Sequence, residues 1–256
     1  MGDEIMKFFA LCAAALVLSA GTPVAAKDLT PATPSWAGGF VGIHGGYGQA
    51  DRNGCGDLGY DLVLGVFQDN FIPDAITSCD NAPPDLTFDY TQSGGLFGVQ
   101  GGYNWTPSEM FLVGVELDAS LTSMSGDLDP NSPFGGTATW SSLVTATAKA
   151  GITAGKFLIY GEGGVAMANV TFKNPLGCDF TMDHTGPVAG VGVSFKLNDQ
   201  ASIDLKYDHI WLGAQQASCT SHLVDINNFH FDAPMTLLTQ GTADVVKIGL
   251  NFQLGK

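Results

Sequence analysis

From Met110 to Leu121 the side chains alternate in character. Phe111, Val113, Val115, Leu117, Ala119 and Leu121 fall on one face, and Gly114, Glu116, Asp118 and Ser120 on the other. The same rhythm sets Val246, Ile248, Leu250, Phe252 and Leu254 against Lys247, Gly249, Asn251 and Gln253. It also sets Ile203, Leu205, Tyr207 and Trp211 against Ser202, Asp204, Lys206 and Asp208. A period of two means extended backbone with one apolar face. Strands of ordinary sandwiches sustain it for about five or six residues. Strands that cross a membrane sustain it for about ten. Length therefore decides for the membrane.

Composition agrees. Only 14% of residues are charged, 45% are hydrophobic, and there are 34 glycines. A water-soluble globule carries about a quarter charged residues, so part of this surface faces something other than water. The one long apolar run lies at the amino end, from Phe8 to Ala20 after Met6-Lys7, and leads through Gly21-Thr22-Pro23 to Val24-Ala25-Ala26. It is shorter than the roughly 20 residues a spanning helix needs. A basic start and a small-residue exit read as a secretory signal over residues 1–26, with Met6 an alternative start. With no spanning helix, the remaining membrane solution is a closed barrel.

Five more alternating segments, 38–49, 92–105, 140–153, 157–168 and 185–197, bring the count to eight. The joints alternate in length. Thr106 to Glu109, Ala154 to Lys156 and Asn198 to Gln200 are tight turns, whereas 51–91, 122–139, 170–184 and 213–239 are long. Short periplasmic turns and long outer loops belong to outer-membrane barrels. The expected fold is all-β, an eight-stranded antiparallel up-and-down transmembrane barrel over residues 36–256, with residues 27–35 as a periplasmic leader. The expected location is the outer membrane of a Gram-negative bacterium.

Trp36-Ala37-Gly38-Gly39-Phe40-Val41-Gly42, followed by Gly45-Gly46-Tyr47-Gly48, resembles the first strand of the small porin-like outer-membrane proteins of alphaproteobacteria, often labelled outer-membrane immunogenic protein. Gly95 to Trp105, Val113 to Asp118, Gly190 to Val193 and Lys206 to His209 resemble later strands of that family, in order. The chain departs from it by running on past Phe252 through Gln253-Leu254-Gly255-Lys256, and by carrying Ser194 where an acid is common. The resemblance implies a surface-exposed barrel assembled by the barrel-assembly machinery. Its partners would be outer-membrane lipid, lipopolysaccharide and host or environmental surfaces.

Eight strands enclose a space that side chains can fill. Glu116, Asp118, Glu162, Asp204 and Asp208 point inward against Lys149, Lys196, Lys206 and Lys247. So balanced a set is expected to pair as a plug, because a lone buried charge is costly; an ion path is the alternative. Most acidity lies elsewhere. Without residues 1–26 the chain keeps 9 basic and 23 acidic residues, a net of −14, and residues 51–90 hold eight aspartates and one arginine. An acidic surface argues against nucleic acid. It fits divalent cations that bridge lipopolysaccharide. Asp51, Asn53 and Asp57 resemble a calcium loop, but Cys55 and Leu62 stand where ligands are needed.

Cys55, Cys79, Cys178 and Cys219 all fall in expected loops, and an even count in an oxidising envelope reads as disulfides. Three pairings are possible, with Cys55–Cys79 and Cys178–Cys219 preferred. No Cys-x-x-Cys spacing suggests a metal. His184, His222 and His230 lie in or beside outer loops, and some members of the family are reported to bind haemin. Haem ligation by these three is the alternative to a chain without cofactor. No local motif singles out a catalytic nucleophile, so the expected role is structural and surface-exposed: envelope integrity and contact with host or environment. A narrow channel is the further alternative.

Overall fold

In the computed structural model every long alternating segment is a strand paired on both sides. The structure describes residues 35–58, 60–63, 66–69, 79, 87–128, 135–174, 177, 179–224 and 230–254. The expected signal segment and nearly all of the leader lie outside the described residues. In chain order the strands are β1 (Gly38–Leu58), β2 (Tyr60–Val63), β3 (Val66–Asp69), β4 (Thr87–Trp105), β5 (Phe111–Thr122), β6 (Ser125–Leu128), β7 (Gly136–Ala154), β8 (Phe157–Lys173), β9 (Phe180–Lys196), β10 (Ala201–Val224) and β11 (His230–Gln253).

Eight of these are staves. β1, β4, β5, β7, β8, β9, β10 and β11 pair antiparallel in that order, and β1 closes the ring by pairing β11 on one edge and β4 on the other. β6 continues the line of β5 beyond Ser123-Met124 and pairs with β4 and β7. β2 and β3 form a small hairpin of their own. At the periplasmic end Gly155 and Lys156 join β7 to β8 in a two-residue turn closed by Ala154↔Phe157. Gly155 takes φ 60° there, a left-handed conformation that favours glycine.

The staves are longer than the alternation suggested, and the expected loops shrink accordingly. β1 runs nine residues past Gln49, to Leu58, and β10 runs on to Val224. The reason is a change of phase. On β4 the outward side chains near the periplasm are Trp105, Tyr103, Val99 and Phe97, and further out they are Ser93, Thr91 and Asp89. Inward, Asn104 and Gln100 give way to Leu96, Tyr90 and Phe88. β8 makes the same exchange, from outward Ile159 and Met167 to Asn169 and Thr171, and from inward Glu162 to Val170 and Phe172. Within the lipid the apolar face must point out; above it the surroundings are water, and the apolar face turns in. The outward belt is edged by Trp105, Phe111 and Phe157 on the periplasmic side and by Tyr47, Tyr207 and Trp211 on the other.

Candidate functional site

The barrel interior has two tiers. The lower one, level with the lipid belt, is built from inward positions of seven staves. Glu116 on β5 accepts hydrogen bonds from Lys149 on β7 and Lys206 on β10, both at 2.7 Å. Lys206 also lies 3.3 Å from Glu162 on β8. Lys247 on β11 bridges Asp118 at 3.1 Å and Asp208 at 3.2 Å. Asp204 accepts from Tyr160 Oη at 2.9 Å and from Ser194 Oγ. The Lys149 ammonium also sits 4.4 Å from the centre of the Phe40 ring. All these side chains are buried. Side chains from β5 and β8 thus meet others from β10 and β11 across the lumen, while Lys149 of β7 pairs with the neighbouring stave β5.

The same tier holds a contact that imitates a hydrolase. His44 Nε2 lies 2.9 Å from Ser120 Oγ, and His44 Nδ1 lies 3.5 Å from Asp118. Ser120 Oγ, however, donates to Asp118 itself at 3.1 Å, and all three residues are buried. The periplasmic mouth is closed from below. Trp36 is buried with Leu112, Leu158 and Tyr160, and Lys196 Nζ donates to Ser35 O and lies over the Trp36 ring. Lys196 therefore works at the mouth, a turn of the wall away from the Glu116 cluster.

The upper tier is apolar. Leu96, Met124, Trp140, Leu143, Val170, Phe172, Ile210, Leu212, Met235 and Leu237 belong to one buried cluster. Into it projects Arg52 of β1, 2% exposed. Its Nη2 donates to His184 Nε2 at 2.6 Å and to Thr239 Oγ1 at 2.9 Å. His184, on β9, uses its other nitrogen toward Gly213 O at 3.2 Å. These contacts suit a neutral imidazole that donates from Nδ1 and accepts at Nε2. His184 lies above the lipid belt, between outward-facing Asp183 and Thr185. Burial, and then the charge of Arg52, push its pKa down to about 4.

Two expected placements need correction. Cys55 and Cys219 are not in loops: they lie in the outer parts of β1 and β10. His184 is not a loop residue but a fully buried one on an inward position of β9, and His222 and His230 lie in β10 and β11, at register Val224↔His230 and His222↔Asp232. In each case the strands run on above the lipid, where backbone pairing continues while the outward side chains become polar. Cys55 is bonded to Cys79, with Cα atoms 5.6 Å apart. Cys219 is disulfide-bonded as well, and Cys178 lies outside the described residues. The nine expected lumen charges are all buried, eight within the tier and Lys196 at its mouth. Arg52, which the sequence sets among the loop acids, lies inside, on the inward parity of His44, Gly48 and Ala50.

A family model described as the outer membrane protein beta-barrel domain matches residues 10–233. The chain is 28% identical over 263 residues to the 31 kDa outer-membrane immunogenic protein of Brucella melitensis biotype 1, covering 98% of this chain and 97% of that one. The protein of the same description from Brucella suis biovar 1 matches equally. Among solved structures, the outer membrane protein OprG from Pseudomonas aeruginosa aligns with a TM-score of 0.54 at 16% identity, across 86% of this chain and 97% of that one. That likeness is one of fold.

Proposed function

The chain belongs to the outer membrane protein beta-barrel family, and from that premise we propose a structural, surface-exposed role: it stiffens the cell outer membrane and meets host or environment with its outer end. The observation that carries this reading is the paired lower tier. Lys206 answers Glu116 and Glu162, and Lys247 answers Asp118, between staves that are not neighbours in the wall, while Lys149–Glu116 and Lys247–Asp208 join adjacent ones; such a cross-brace ties the two sides of the barrel together. Just above the belt, Asp51 and Asp89 face outward at the depth of lipopolysaccharide head groups, where divalent cations bridge phosphates.

The role is non-enzymatic. Ser120 spends its proton on Asp118, so His44 has no activated nucleophile to serve. Haem capture would recruit His184, but both of its ring nitrogens are engaged, and a haemin titration of the refolded barrel is expected to give no Soret shift. The decisive test is conductance. The refolded barrel in a planar bilayer is expected to show no discrete steps, and steps that change in Glu116→Gln would replace this reading with a channel. In cells, loss of the protein is expected to raise sensitivity to detergent and chelator.

A further inference from the structure

Between β9 and β10 the wall is closed differently from the rest of the ring. Their ladder runs from Ser202↔Lys196 to Ile210↔Val188 and stops. Both strands continue, β9 paired to β8 as far as Phe172↔Phe180 and β10 paired to β11 as far as Val224↔His230. The stop has a cause in the sequence. Lys196 N donates to Lys156 O on the β8 side, and Leu197 N to Ala201 O on the β10 side. With no register shift along β8–β9, odd-numbered residues of β9 aim their N–H at β10. Pro187 is the odd residue next to Val188, and it has no N–H to give.

Beyond Pro187 the two backbones touch without a ladder. A Cβ placed on Gly186 would meet Trp211 O at 1.7 Å, so glycine permits the approach. The seam is bridged by a side chain, His184 Nδ1 to Gly213 O. Behind it lies the apolar upper tier, with Val188, Ile210 and Leu212 nearest. The cation there is Arg52, whose Nε and Nη1 are buried without a hydrogen bond of good geometry; the Tyr90 hydroxyl is the neutral group beside the guanidinium. Among the described residues no carboxylate pairs with it. A buried guanidinium left half-satisfied is costly, and an anion is the partner that satisfies it best. Outward Trp211 and His209 beside the seam mark the upper edge of the lipid belt, the depth at which acyl chains meet their head groups.

We propose that the upper tier is a binding site for a single-chain amphiphile with an anionic head, of the fatty-acid class, which enters sideways through the β9–β10 seam. The head group takes the free donors of Arg52. The chain lies among Ile210, Leu212 and their neighbours, with Met124 and Met235 as the unbranched, adaptable side chains that give way to it. The site is independent of the envelope role above, and the two can fail separately.

The test uses the whole barrel, oxidised and refolded in a non-ionic detergent, with empty micelles as the blank. Laurate, acetate and dodecanol are titrated by calorimetry. Laurate is expected to bind saturably at one site, at least tenfold tighter than either of the others. Arg52→Gln is expected to lose at least tenfold in laurate affinity, while Arg52→Lys keeps most of it. Pro187→Ala restores a donor toward β10 and is expected to slow laurate uptake several-fold at unchanged affinity. Heat no greater than the blank overturns the proposal. Acetate binding as tightly as laurate reduces the site to a plain anion site and overturns the amphiphile. Dodecanol matching laurate removes Arg52 from recognition, and unchanged uptake in Pro187→Ala removes the lateral route. The three-ligand series needs no variant, so it decides the ligand class even if Arg52→Gln does not fold.

Discussion

At the scale of single residues, the interior is governed by which charges have partners. Glu116 holds two ammonium groups at once. Glu116→Gln leaves Lys149 facing no carboxylate among the described ion pairs, and removing one member of a buried pair costs roughly 3–5 kcal/mol. Urea titration of the refolded barrel is expected to show a loss of that order, and adding Lys149→Met to Glu116→Gln is expected to recover part of it. His184 gives a second prediction, with a pH sign. Its pKa in the folded barrel lies at about 4, below the ordinary value of about 6.5. The unfolded chain therefore binds more protons between those values. The neutral histidine contributes its full stability above about pH 6.5 and loses it as pH falls toward 4. Urea midpoints measured from pH 7 down to pH 4 are expected to fall for the native chain and to fall less for His184→Gln, whose amide also accepts from Arg52.

At the scale of strands, the parts inside the lipid were legible and the parts above it were not, for one physical reason. Phe111 to Leu121 could be read because outward apolar side chains face lipid and inward polar ones face each other. Past the belt the alternation persists with its sense reversed, so Phe88, Tyr90 and Phe172 fall inside the connections expected at 51–91 and 170–184, and Arg52 falls among the charges of residues 51–90. Pairing into strands, not loops, is what brings Arg52, His184 and Thr239 within hydrogen-bond reach, and no local spacing announces it: His184 and Thr239 lie 132 and 187 residues from Arg52 along the chain. The lumen charges were legible because each sits in an alternating stretch on the face opposite lipid. The disulfide makes a prediction at this scale. Cys55 and Cys79 are 24 residues apart, and closing a loop of that size stabilises by about 3 kcal/mol in the chain-entropy account. Replacing both by alanine is expected to lower the stability of the refolded barrel by an amount of that order, read as a fall in its urea midpoint.

At the scale of the whole molecule, a membrane barrel and a water-facing barrel share one set of staves, the first cross-braced by ion pairs and the second filled by apolar side chains. Agents that act on one half are therefore expected to spare the other at first: high salt weakens exposed ion pairs but not the dry ones below, so the urea midpoint is expected to move little between low and high salt. The ring itself carries a further consequence. Its last seam joins Phe40 to Gln253 and continues to Leu58↔Met235, uniting the first and last strands of the sequence. Loop-closure entropy for nearly the entire chain must be met before that seam rewards it. Until then β1 and β11 are two bare edges, each a template for a stranger's strand. The molecule is safe from aggregation only as a finished circle, which makes the time spent open, more than the stability once closed, the quantity its assembly has to control.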